Sequence, residues 1–232
     1  MLVSFEGGEG TGKSTQVGKL ASRLKADGFD VVSVYEPGST SLGDYLRRWL
    51  KAERENVVPY PTELFLFAAS RNALVNEVIK PALTRPHCIV IADRFTDSTV
   101  AYQGYGRGIP FELLDAVNDL AAEGLKPDIT CLMDCSPDQG LSRVHNNDSS
   151  GIGQQDNYLN QEFRIDPRGT QRFEKENIEF HEKVRSGYLE ISSKDPDRWR
   201  VINAMESTED ISAIVWEQVS HALHNRGIKS NI

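Results

Sequence analysis

The sequence predicts an α/β chain built on a five-stranded parallel sheet with helices on both faces. Three observations predict it. Short apolar segments alternate with longer ones whose apolar residues recur at helical spacing. The third of the short segments, Cys88 to Asp93, is apolar on both faces, as strands covered on both faces are. The first short segment runs into a glycine-rich loop that opens a helix. All 232 residues are read as a single domain, near the upper end of the size one core supports.

The elements follow in order. Leu2 to Glu6 is an apolar strand ending in glycines, and Val17, Leu20, Ala21 and Leu24 mark the helix after it. Val31 to Tyr35 is the second strand. Leu42 to Leu50 reads as a helix and Thr62 to Leu83 as a longer one. Cys88 to Asp93 is the third strand, Phe111 to Ala122 a helix, and Asp128 to Asp134 the fourth strand. Asn146 to Gln155 is polar and reads as a loop. Phe173, Phe180, Val184, Tyr188 and Ile191 form one helical stripe, and Trp199 to Asn203 is the fifth strand. The last helix opens at Ser207, with Asp210 placed for a capping box.

Composition narrows the function. With 26 basic and 34 acidic residues, the net charge is -8. A general polyanion binder needs a basic face, so no nucleic-acid partner is expected. The longest apolar runs fall far short of the roughly 20 residues that span a bilayer. The opening Met-Leu-Val-Ser-Phe has no charged leader region, so a cytoplasmic protein without a membrane partner is expected. Cys88, Cys131 and Cys135 are an odd set, read as filling strands beside the core.

In such sheets ligands bind beyond the carboxyl ends of the strands. After the first strand stands Gly7-Gly8-Glu9-Gly10-Thr11-Gly12-Lys13-Ser14, which fits G-x-x-x-x-G-K-[ST] in the required strand-to-helix context, with Thr15 next to it on the phosphate-binding side. Small residues let backbone N–H groups surround a phosphate at a helix N-terminus. Lys13 would bridge the β- and γ-phosphates of ATP, and Ser14 would hold Mg²⁺. The fold is therefore a three-layer P-loop NTPase fold. No Asn-Lys-x-Asp guanine motif follows a strand. After the third strand stand Asp93 and Arg94. The carboxylate is placed to hold Mg²⁺, partly through water, and the arginine to clamp a phosphate.

Asp93-Arg94-Phe95-Thr96-Asp97-Ser98-Thr99-Val100-Ala101-Tyr102-Gln103-Gly104 resembles the D-R-Y-x-D-S-x-x-A-Y-Q-G segment of bacterial thymidylate kinases. Glu36-Pro37-Gly38-Ser39-Thr40 is similar to their E-P-G-G-T, and Phe67 to Arg71 to their F-x-A-x-R helix. The resemblance implies transfer of the γ-phosphoryl of MgATP to dTMP. It assigns Phe67 to stack on the base, Arg71 to reach the base edge, and Ser98 and Gln103 to read it. Tyr102 would crowd the sugar 2′ position, and Glu9 would lie near the 3′-hydroxyl. Arg47 and Arg94 would hold the 5′-phosphate, beside Glu36 and Pro37. It further implies lid arginines, here Arg164 and Arg168 in a lid of about 144–171, acting in catalysis with Lys13 and Arg94. Arg143, Asn203 and Ala204 fall on the adenine side. A homodimer through the helices at 42–50 and 62–83 is also implied. Three features depart from the family: the lengthened lid, Tyr35 where arginine is common, and Asn203-Ala204 for Asp-Ala. Two readings stand beside this one: a P-loop kinase acting on another nucleoside monophosphate, and a nucleotide-binding regulator without turnover.

Overall fold

The computed structural model describes residues 1–51, 58–149 and 173–229. Among them, five strands form one parallel sheet in the order β2-β3-β1-β4-β5. They are β1 (Leu2–Glu6), β2 (Asp30–Tyr35), β3 (Cys88–Asp93), β4 (Ile129–Asp134) and β5 (Trp199–Asn203). The helices are α1 (Lys13–Ala26), α2 (Ser41–Lys51), α3 (Tyr60–Leu74), α4 (Lys80–Leu83) and α5 (Thr96–Thr99). They continue with α6 (Phe111–Ala122), α7 (Pro137–Ser149), α8 (Ile178–Lys194) and α9 (Thr208–Asn225).

Side chains alternate between the faces of each strand, and both faces are covered. Val3 and Phe5 of β1 and Ile89 and Ile91 of β3 pack with Val17 and Leu20 of α1 and Val215 and Val219 of α9. On the other face Leu2, Val90 and Ala92 meet Leu74, Val75 and Ile79. Leu132 and Trp199 meet Phe180, Val184 and Tyr188 of α8. The chain fills the β2 and β3 side of β1 first and then crosses to β4 and β5. That reversal opens a crevice beyond the carboxyl end of β1.

Four expectations change. The helix expected over Thr62 to Leu83 is α3, a π-helical turn at Val75–Ile79, and α4 in succession. Pro81 removes one N–H and crowds the carbonyl four residues back, so the ladder widens there. The polar stretch expected as a loop from Asn146, within a lid from 144, begins inside α7, which runs to Ser149. Polar residues with modest helix propensity can extend a helix already formed, and positions 150–155 lie outside the described residues. The stripe from Phe173 enters its helix only at Ile178, because Asn177 caps it by accepting from the Phe180 N–H at 2.9 Å. Finally, Thr96 to Gly106, which carried no predicted element, is helical, with a π-helical turn at Val100–Gly106. The cap of the last helix is as expected: Ser207 Oγ accepts from the Asp210 N–H at 3.1 Å.

Candidate active site

Beyond β1 the glycine-rich loop turns back on itself. Gly7 and Gly10 have φ of 137° and 66°. A Cβ on Gly7 would strike the Met133 carbonyl, and one on Gly10 the Gly140 carbonyl. The loop can therefore pass this close to β4 and α7 only as glycine. Lys13, at the start of α1, is buried and donates to the carbonyls of Gly8 (2.6 Å) and Gly7 (3.2 Å). Burial, with the Arg94 charge nearby, brings its ammonium down to about 8. Ser14 Oγ donates to Asp93 Oδ2 at 2.6 Å, which joins the loop to the end of β3. Thr15 follows on the exposed side of α1.

Arg94 is the hub between two spaces. Its φ of 73° is unusual for a residue with a side chain, and its backbone N–H is held by the Phe5 carbonyl. The guanidinium donates to the Gly7 carbonyl (3.0 Å), Glu9 Oε1 (3.0 Å) and the Tyr102 hydroxyl (3.1 Å). Tyr102 donates in turn to Glu9 Oε1 at 2.7 Å.

On the far side of Arg94 is a cleft of about 130 Å³. Glu9, Glu36, Pro37, Arg47, Phe67, Arg71, Arg94, Ser98, Tyr102 and Gln103 all line it. The structure thus brings every residue expected on the acceptor side to one place. Leu50, Thr99, Phe173 and Glu174 join them, and the Phe67 and Phe173 rings lie 6.2 Å apart. Arg71 does not have the free reach expected of it, because all five of its N–H donors are taken. Nε and one terminal nitrogen grip Glu36 (2.9 and 2.6 Å), and the rest go to Thr99, Asn118 and the Phe95 carbonyl. Arg47 donates to the Pro37 carbonyl at 3.1 Å and stacks over Tyr35, while its buried Nε has no partner among the described residues. Tyr35 itself is turned to Asp44 at 2.7 Å.

Arg143 donates to the Ala204 carbonyl at 2.9 Å, so the residues expected on the adenine side are adjacent. Asn203 bonds locally, to Glu206 and the Met205 N–H. Arg164 and Arg168 lie outside the described residues. Cys88, Cys131 and Cys135 are buried thiols beside the core.

Two buried carboxylates escaped the sequence reading. Glu6, the last residue of β1, accepts from the Phe95 N–H (2.8 Å), Ser98 Oγ (2.6 Å) and the Tyr188 hydroxyl (2.9 Å). Burial pushes its carboxyl up to about 7, helped by the Asp97 charge. Glu63 lies fully buried under the cleft and accepts from Gln103. Glu6 had one signal in the sequence: a charged residue closing an otherwise apolar buried strand. Glu63 had another: it stands one helical turn before Phe67 and two before Arg71.

A phosphate loop facing a second cleft across a shared arginine is the plan of the P-loop nucleotide kinases. Comparison narrows it further. The thymidylate kinase family model matches residues 5–215. A thymidylate kinase of Solidesulfovibrio magneticus is 41% identical over 96% of this chain and 100% of its own length. One from Pelobacter propionicus is 41% identical over 97% of this chain and 96% of its own. The crystal structure of Ehrlichia chaffeensis thymidylate kinase superposes with a TM-score of 0.69 at 31% identity, covering 94% of this chain and 98% of that one. The chain belongs to the thymidylate kinase family. Among the described residues no helix is long and apolar enough to cross a membrane.

Proposed function

We propose that the protein transfers the γ-phosphoryl group of ATP to dTMP, giving dTDP and ADP. The observation that carries this reading is the cleft behind Arg94, lined by the Phe67 ring, the Gln103 amide and the cations Arg47, Arg71 and Arg94. An anionic oxygen of the dTMP phosphate attacks the γ-phosphorus, the bond to the β-phosphate oxygen breaks, and ADP leaves. The attacking oxygen is already ionised at neutral pH, so positioning and positive charge do most of the work.

In this reading Gly7 to Thr15 bind the ATP phosphates. Lys13 exchanges its loop carbonyls for the β- and γ-phosphate oxygens. Arg94 exchanges the Gly7 carbonyl for the dTMP phosphate, with Arg47 beside it. Phe67 stacks on thymine, Gln103 and Ser98 read its edge, and Tyr102 and Glu9 enclose the sugar. Arg71 acts through Glu36, which it holds in place.

Ser14 and Asp93 fit Mg²⁺. They are hard oxygen donors, already in contact at 2.6 Å beside the loop, and Mg²⁺ takes few protein ligands when phosphates supply the rest. When bound, the ion would neutralise charge on the β- and γ-phosphates. Exposed Leu42, Tyr45 and Phe65 on α2 and α3 support a homodimer through those helices, and the reading takes the protein as cytoplasmic.

The test is ADP formation from MgATP with dTMP, dUMP, dCMP, dGMP, dAMP and UMP offered separately. Turnover with dTMP well above the rest is expected. Turnover with another monophosphate alone would refute the substrate, and ATP binding without any turnover would refute the activity.

A further inference from the structure

The sequence gives Gln103 an amide that can both donate and accept. The structure leaves it only one of those functions. Gln103 is buried at the wall of the cleft, and its Nε2 donates to Glu63 Oε1 at 2.8 Å. Glu63 is itself fully buried on α3. Arg107, whose side chain is also buried, points its Nε at the same oxygen from 3.4 Å and pairs with Glu176 at 2.7 Å. The carboxylate therefore has a cation beside it and serves as an acceptor. A carboxylate oxygen that already faces a guanidinium acts as an acceptor, so the NH₂ end of the amide is the one that faces it. A flipped amide would set two acceptor oxygens against each other inside the protein. Because the amide is planar, fixing its nitrogen fixes its oxygen. Among the described residues Oε1 receives no hydrogen bond, and it is left to the cleft that Gln103 lines.

We propose that Glu63 is a positioning residue that holds the Gln103 carbonyl toward the cleft, so that the site admits pyrimidines carrying a hydrogen on N3 and rejects those whose N3 is a bare acceptor. Thymine and uracil offer that N3–H, whereas cytosine presents a lone pair to the same oxygen. The proposal rests on the cleft being the nucleoside monophosphate site. It explains why selectivity against cytosine needs a residue that never touches the base. A site whose buried acceptor is left without its donor rejects the ligand strongly.

The experiment compares dUMP and dCMP as acceptors with the full chain, since these differ only at the N3 and C4 edge. Glu63→Met keeps the side-chain length and removes the acceptor, leaving the amide free to turn either way. The expected result is that the dUMP over dCMP preference in kcat/KM falls by about tenfold or more. The KM for ATP should stay within about twofold, because the lost interaction is confined to the acceptor. Gln103→Met should lower the same preference, and adding Glu63→Met to it should lower it no further, as expected when one residue acts only through the other. Equal losses with both monophosphates and an unchanged preference would overturn the proposal, since a merely structural carboxylate gives that pattern. If Glu63→Met does not fold, Gln103→Met alone decides, and an unchanged preference there overturns it equally. Wild-type protein that turns over neither dTMP nor dUMP would overturn the reading of the cleft first, before any variant is made.

Discussion

Glu6 makes stability depend on pH in a direction opposite to most carboxylates. It sits where β1 enters the phosphate loop, fully buried, and accepts three hydrogen bonds. Desolvation and the nearby Asp97 lift its carboxyl from the ordinary 4.5 to about 7, although Ser98, Arg94 and the Phe95 N–H oppose the rise. The unfolded chain releases this proton near pH 4.5, and the folded chain keeps it to about pH 7. In that window the folded state holds more protons, so stability falls as pH rises through it. At 1.36 kcal/mol per pKa unit the displacement is worth about 3 kcal/mol. The perturbation is Glu6→Gln, which keeps the shape and cannot ionise. The assay is urea unfolding of both proteins at pH 5, 6, 7 and 8. Between pH 5 and pH 8 the wild type should lose about 2–3 kcal/mol relative to Glu6→Gln, since part of the displacement lies below pH 5. A difference between the two that stays constant across that range would refute the reasoning. It would mean that Glu6 titrates at its ordinary value despite its burial.

The site carries three further predictions. Arg94→Ala should abolish turnover while the far-ultraviolet circular dichroism stays unchanged, because the side chain links loop and cleft but supports no core element. Phe67→Ala should raise the KM for dTMP by about tenfold or more through lost stacking, with little change in the KM for ATP; equal changes in both would make Phe67 plain core. Arg71→Met should destabilise the fold by about 3–5 kcal/mol, because it strands the buried Glu36 carboxylate. The double variant Arg71→Met/Glu36→Met should recover much of that in urea unfolding.

Sequence reading succeeded where one residue type has one physical use. The central strands β1, β3 and β4 were legible because a parallel sheet covered on both faces demands buried runs such as Cys88 to Ala92. The loop was legible because only glycine passes so near the Met133 and Gly140 carbonyls. The acceptor residues were legible as a set through the family's spacing, but their allegiances were not. Arg71 reads the same in sequence whether its five donors face a ligand or Glu36, Thr99, Asn118 and Phe95. The choice is made by side chains 20 to 50 positions away, which no local pattern encodes. Buried acids such as Glu6 and Glu63 leave only a faint mark in the sequence for a related reason. Their burial depends on partners from other elements, and composition gives such residues a solvent-exposed prior. Helix limits failed where a side chain overrode periodicity, as Asn177 does in delaying α8 past Phe173.

The distribution of partners also orders the cations of an acidic protein around an anionic ligand. Arg71 has no donor to spare, and moving it would expose Glu36. Arg94 is shared among the Gly7 carbonyl, Glu9 and Tyr102, so it can turn to a phosphate only by giving up a neutral acceptor while keeping its charged one. Arg47 alone of the three has a buried donor, Nε, with no partner among the described residues. An unpaired buried donor is costly, and a phosphate oxygen relieves it without breaking anything. Arg47 is therefore the first cation at the cleft to gain by meeting the ligand. Arg94 follows when the phosphate comes within reach of the loop, and Arg71 holds the floor on which both act.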